Sequence, residues 1–162
     1  VRGSHVAIVQ SMPEGDPVQR IAALDGVARR AGRWPGAPRP HPRRTDIRAY
    51  PVVFEVHGRY GDMDANGHMN NLALEALHED VRARLNTTVL PGVYDAGRRQ
   101  FRLVSAQNVV HFLAESSWPS VFRGAVGVGR IGSSSYVASS GLFIGGRCIS
   151  TCGTVLVAVR WV

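Results

Sequence analysis

Arg59-Tyr60-Gly61-Asp62-Met63-Asp64-Ala65-Asn66-Gly67-His68-Met69-Asn70-Asn71 is the stretch on which the reading of this chain turns. From Asp62 to Asn71, ten positions carry two carboxylates, an imidazole and three amides. Polar groups that dense are costly to bury unless each finds a partner. On one side lies Val52-Val-Phe54-Glu-Val56-His-Gly-Arg59, whose alternation is that of a strand. On the other, apolar residues at 69, 72–73, 76–77 and 81 form a helical stripe. The cluster therefore sits at a strand-to-helix junction, and is either an elaborate helix cap or an active site.

Outward from the junction, the helix is expected to run to about Leu85, with Asn86-Thr87-Thr88 ending it. Four strands are then expected, over 102–114, 121–131, 136–144 and 148–161. The turns between them fall at Ser116–Ser120, Gly132-Ser133-Ser134 and Gly145-Gly146. One helix followed by consecutive hairpins predicts an α+β fold, the helix packed on one antiparallel sheet. Upstream, residues 1–48 read as a basic, Pro/Arg-rich extension. Asp16-Pro17 begins a possible short helix carrying Ile21, Leu24 and Ala28, which Gly32 closes. A linker with four prolines follows it. Residues 49–162 read as the folded domain.

All 19 basic residues are Arg, and the net charge is +7. Nine of them fall in residues 1–48 against four acids, so the basic character belongs mainly to the extension. No aromatic-interleaved basic patch marks the body, so no nucleic-acid module is expected. No apolar run reaches the roughly 18 residues of a membrane span. A secretory apolar segment of about 7–15 residues is not seen either. These readings predict a soluble, cytoplasmic protein. The two cysteines, Cys148 and Cys152, stand four apart in an expected strand, about 13 Å from each other. A disulfide needs Cα atoms within about 7 Å, so both are expected as reduced thiols.

Three physical readings of the junction compete. Asp62-x-Asp64-x-Asn66-Gly67 copies the opening of a calcium loop, but the twelfth position, which should be a bidentate Glu, is Ala73. No metal is expected. The second reading is a turn and cap only, since Asp, Asn and Gly are the usual residues of both. The third is catalysis. The first-turn N–H groups of a helix are unpaired and lie at the positive end of its dipole. A carbonyl docked there is polarised, and a neighbouring carboxylate can serve as general base or nucleophile. No Gly-x-Ser-x-Gly elbow is present, which argues against a serine hydrolase.

The thirteen residues resemble the signature of hotdog-fold acyl-CoA thioesterases of the 4-hydroxybenzoyl-CoA thioesterase-like group, Arg-[Trp/Tyr/Phe]-x-Asp-x-Asp-x-x-Gly-His-[Val/Met]-Asn-Asn. The likeness continues in Glu79-x-x-Arg82 and in Gly129-Arg130-Ile131-Gly132-Ser133-Ser134-Ser135, and covers about residues 50–161. It implies an antiparallel sheet of about five strands wrapped around one long central helix. It also implies a homodimer or homotetramer with active sites at the subunit interface. The activity it implies is metal-free and cofactor-free hydrolysis of an acyl-CoA thioester to free acid and CoA. By the same resemblance Asp64 is the catalytic carboxylate, the N–H groups near Asn70 and Asn71 polarise the carbonyl, and His68 and Asn70 shape the site. Arg130, Ser133 and Ser134 become candidates for holding the CoA arm, since Arg pairs well with phosphate.

Each residue also has a plainer reading. Asp62 is read as ordering the loop, His68 as a structural histidine, His111 as core or pocket wall, Glu79 and Arg82 as an ion pair, and Arg130 as an exposed strand residue. Leu74 stands where the family often has Tyr, which bears on the substrate more than on the reaction. Two other functions remain open. A hotdog enoyl-CoA hydratase would use Asp62 or Asp64 with His68, although the Asp-x-Asn-Pro-x-His pattern is missing. An inactive acyl-CoA-binding module would keep the pocket without the chemistry.

Overall fold

The computed structural model describes residues 39–97 and 101–160. The short helix expected after Asp16 lies outside them. Five strands and one long helix make up the body: β1 (Val52–His57), α1 (Asn71–Val89), β2 (Phe101–Phe112), β3 (Val121–Ile131), β4 (Ser135–Ile144) and β5 (Arg147–Arg160). The strands form one antiparallel sheet in the order β1-β3-β4-β5-β2. This is the expected α+β hotdog arrangement, with α1 lying against the sheet. Gly145 and Gly146, at φ +56° and +86°, make the tight turn from β4 to β5 that L side chains resist.

The helix packs on the sheet face that carries Val56, Phe122, Val126, Val128, Leu142 and Leu156, all at most 3 % exposed. Ala73, Leu77, Val81 and Leu85 meet that face, as the stripe required. Gly124 permits the close approach: a Cβ there would overlap Val81 Cγ2. Two features depart from the sequence reading. Leu72 is 76 % exposed and Ala76 is exposed, while Leu74, His78, Arg82 and Asn86 are buried. That second row, spaced by four, is a mostly polar seam between helix and sheet. His78 Nδ1 and Nε2 each lie 2.8 Å from a hydroxyl, of Ser140 and Ser150 respectively. Arg82 Nη1 donates to Thr154 Oγ1 at 2.8 Å, and Asn86 Oδ1 accepts from the Tyr136 hydroxyl. The helix also continues past Asn86 to Val89. The Thr87 and Thr88 hydroxyls turn back on the Arg84 carbonyl, and Val89 and Leu90 join the core.

The opposite sheet face is covered as well. Two 3₁₀ turns, Pro42–Thr45 and Ile47–Ala49, lay the chain across β4 and β5. Tyr50 packs edge-on against Phe143 with ring centroids 6.1 Å apart, and its hydroxyl donates to the Arg44 carbonyl at 2.8 Å. Ile47, Val53, Ala125 and Cys148 complete this second cluster. β4 is therefore buried from Tyr136 to Phe143, which explains its unbroken run of apolar and small residues. Among the described residues, no helix is long and apolar enough to cross a membrane.

Candidate active site

The polar loop is built from the inside out by Asp62. Its buried carboxylate accepts from the Arg59 backbone N–H at 2.8 Å and from the Arg59 guanidinium at 2.8–3.2 Å. The guanidinium is the main cause that holds the Asp62 carboxyl below its usual range. The Asp62 carbonyl in turn accepts from the Asn70 N–H at 2.9 Å, and Met69 N–H reaches the Ser116 carbonyl at 2.7 Å. The loop is thus tied both to itself and to the segment that follows β2. Asp62 orders the loop, and both of its oxygens are occupied.

Asp64 sits at the tip, exposed. Its Oδ1 accepts from the Asn66 N–H at 2.8 Å and from the His68 N–H at 3.3 Å, while Asn66 Nδ2 lies 3.3 Å from Oδ2. The Asn66 N–H is the largest cause lowering the Asp64 pKa, followed among the favourable ones by the His68 N–H. Gly67 closes the turn at φ +77°. The carboxylate is ionised and oriented, and Oδ2 is the less engaged oxygen.

Asn70 and Asn71 divide their roles. Asn70 is the N-cap of α1, and its Oδ1 accepts from the Ala73 N–H at 2.8 Å. With its own N–H bonded to Asp62, Asn70 has no backbone amide left for a ligand. Asn71 is the first helical residue, whose N–H has no intrahelical partner by geometry. Asp64, Asn66, His68 and Asn71 share the rim of a cavity of about 410 Å³. Met69 and Leu74 form one apolar wall, and Phe112, Leu113 and Ala114 the other.

Glu115 completes the rim. Its Oε2 is 3.5 Å from His68 Nε2. Neither Glu115 nor the apolar wall before it carries a sequence signal; they lie over forty positions beyond the motif and arrive through the pairing of β2 with β5. Arg130, Ser133 and Ser134 are not brought to this cavity within one chain. They lie at the far end of β3 from Val121, about 30 Å along the strand. Val121 is opposite His57, at the end of β1 that leads into the polar loop, while Ser134 gives its carbonyl to the Ala158 N–H. Glu79 and Arg82 do pair, at 3.3 Å. His111 is half-buried on β2 and does not line the cavity. Among the described residues no group of three His, Cys, Asp or Glu side chains could hold a metal. Cys148 and Cys152 are both free thiols.

Residues 59–158 match the profile of the thioesterase-like superfamily. No curated protein sequence matches the chain. Among solved structures, the PA2801 protein of Pseudomonas aeruginosa, a candidate thioesterase, is 26 % identical over 67 % of this chain and 83 % of its own, with a TM-score of 0.60. A thioesterase from Thermus thermophilus, solved with coenzyme A and Zn, is 24 % identical over 68 % and 86 %, with a TM-score of 0.62. A thioesterase-superfamily protein from Jannaschia sp. CCS1 is 24 % identical over 78 % and 84 %, also at 0.62.

Proposed function

Because this chain belongs to the thioesterase-like superfamily, we propose that it hydrolyses an acyl-CoA thioester to free acid and CoA, with Asp64 as the reacting carboxylate. The observation that carries the reading is the shared rim: an oriented, ionised carboxylate and Asn71, the first residue of a helix, line one apolar-walled cavity. The thioester carbonyl oxygen rests on the Asn71 N–H, which faces the charge that develops on that oxygen. The acyl group lies along Met69 and Leu74. Asp64 Oδ2 then takes a proton from an attacking water, or attacks the carbonyl carbon itself to form an anhydride that water opens. In either route the C–S bond breaks with its electron pair on sulfur, and the CoA thiolate is protonated.

His68, on the same rim, is the side chain that carries that proton. Glu115 Oε2, 3.5 Å from His68 Nε2, holds the ring on the rim. The partner is a second copy of this chain. β2 is an edge strand that pairs only with β5 among the described residues, and it ends at the cavity wall, in Phe112 with Leu113 directly after it, which are 42 % and 39 % exposed. A copy added on this edge would cover the open wall and could bring its own Arg130, Ser133 and Ser134 toward the CoA arm. The reaction belongs to the cytoplasm, where CoA thioesters are made.

The test is thiol release from acyl-CoAs running from acetyl to palmitoyl, plus benzoyl, with wild type and Asp64→Asn side by side. Turnover that depends on Asp64 is expected. No thiol release from any member refutes the hydrolytic reading, and an enoyl-CoA hydration assay then separates a hydratase from a binding module.

A further inference from the structure

The seam behind the cavity suggests where the acyl group stops. Leu74 lines the cavity yet is only 3 % exposed, so it fills the inner end. His78 stands one helical turn behind it on the same row, 1 % exposed. The opposite wall leads to the same point. Phe112 is in register with Ser150, and Ser150 Oγ lies 2.8 Å from His78 Nε2. The Leu113 and Ala114 N–H groups both go to the Ile149 carbonyl, one residue before it. Both walls therefore converge on His78.

The imidazole is held at each end. Ser140 Oγ sits 2.8 Å from Nδ1 and itself reaches the Cys152 carbonyl at 3.5 Å. If Ser140 donates to that carbonyl, it accepts from Nδ1–H, and Nε2 then accepts from Ser150. Every polar atom of the ring is then used. Moving the ring would break both of its hydrogen bonds in the core, leaving the imidazole and the Ser150 hydroxyl to find new partners there, which is costly. An apolar chain cannot push it aside as it could a methionine.

We propose that His78, clamped by Ser140 and Ser150 behind Leu74, is the floor of the acyl pocket and a specificity-determining residue, so that the substrates are thioesters of compact acyl groups, such as short aliphatic chains. This rests on the acyl-CoA reading above. The cavity size agrees with it: about 410 Å³ is near the lower end of the roughly 300–1,000 Å³ of ligand pockets, and it must also hold the thioester.

The experiment compares kcat/KM for acetyl-, butyryl-, hexanoyl- and decanoyl-CoA in wild type and in Leu74→Ala/His78→Ala. Wild type is expected to favour butyryl- over decanoyl-CoA. Each methylene that gains burial improves binding by about fourfold. Two of them in the opened pocket shift the decanoyl-to-butyryl ratio by about fifteenfold toward decanoyl. A wild type that uses decanoyl-CoA as well as butyryl-CoA overturns the proposal, and so does an unchanged ratio in a variant with native circular dichroism. If that variant does not fold, Leu74→Trp decides. It deepens the plug while leaving His78, Ser140 and Ser150 unsubstituted, and should lower butyryl- relative to acetyl-CoA use at least tenfold; an unchanged ratio there also overturns the floor.

Calorimetry with the unreactive butyl- and decyl-CoA thioethers separates the two readings. Butyl preferred by wild type and decyl gaining in the variant, with no thioester cleaved, keeps the floor and removes the hydrolysis. Cleavage of every chain length with no preference does the reverse.

Discussion

Acidification below about pH 6.5 should loosen this protein, and one buried side chain makes a contribution that can be isolated. His78 is wholly enclosed between α1 and the sheet, and burial pushes its pKa down from 6.5 to about 3. The cations that face it, Arg44 from the segment before β1 and Arg82 one turn along α1, push the same way. In the unfolded chain it is an ordinary imidazole. Between pH 6.5 and about 3 the unfolded state therefore binds a proton that the folded state does not. Stability from this group is fully present above 6.5 and is lost as pH falls toward 3. At pH 4.5, two units below 6.5, the loss is about 3 kcal/mol. For a chain of this size that is a fall of about 6–12 °C in melting temperature. The assay is thermal unfolding followed by circular dichroism at pH 7.0 and 4.5, for wild type and His78→Gln. The glutamine can reach the serine hydroxyls but does not titrate, so its melting point should move far less between the two pH values. Equal shifts in the two proteins would refute the reasoning.

Four further outcomes are expected. Asp64→Asn should lower thioester turnover at least a thousandfold while acyl-CoA binding, measured by calorimetry, stays within a few-fold, because the amide oxygen can still accept from Asn66 and His68; near-wild-type turnover would remove Asp64 from the mechanism. Gly124→Ala should cost about 2–3 kcal/mol by overpacking against Val81, and Gly124→Ala/Val81→Ala should be no less stable than Val81→Ala alone; strictly additive losses in denaturant titrations would show that the two do not touch. Asn70→Ala should destabilise by about 1 kcal/mol through loss of the cap and reduce kcat by displacing Asn71. Finally, Glu115→Gln should lower kcat for thioester hydrolysis by releasing the His68 ring it holds, while its melting temperature stays within about 1 °C of wild type because the pair is exposed; an unchanged kcat would leave Glu115 without a role.

What could be read directly from the sequence is what is bonded locally. The Asp64–Asn66 turn, the Gly67 that closes it, the Asp62–Arg59 pairing and the Asn70 cap all link residues two to four apart, and Asp, Asn and Gly make such bonds in nearly any context. The strand and helix pattern was legible for the same reason, since periods of two and near four are properties of the backbone. The helix terminus was misplaced because Thr87 and Thr88 satisfy their own turn, and because Val89 and Leu90 are held by packing rather than by propensity.

The tertiary structure decided the rest. His78 reads as one more polar residue on an amphipathic helix, and only the sheet brings it hydroxyls from 62 and 72 positions away. Which asparagine keeps a usable N–H follows from the reach of Asn70 back to the Asp62 carbonyl. The cavity wall at Phe112–Glu115 exists because β2 pairs in register with β5, and the same topology sends Arg130 and Ser133–Ser134 to the opposite end. Local hydrogen bonds are written in the spacing of a few residues. Register, burial and the meeting of distant strands are set by the whole sheet closing on its helix, so no short stretch of sequence contains them.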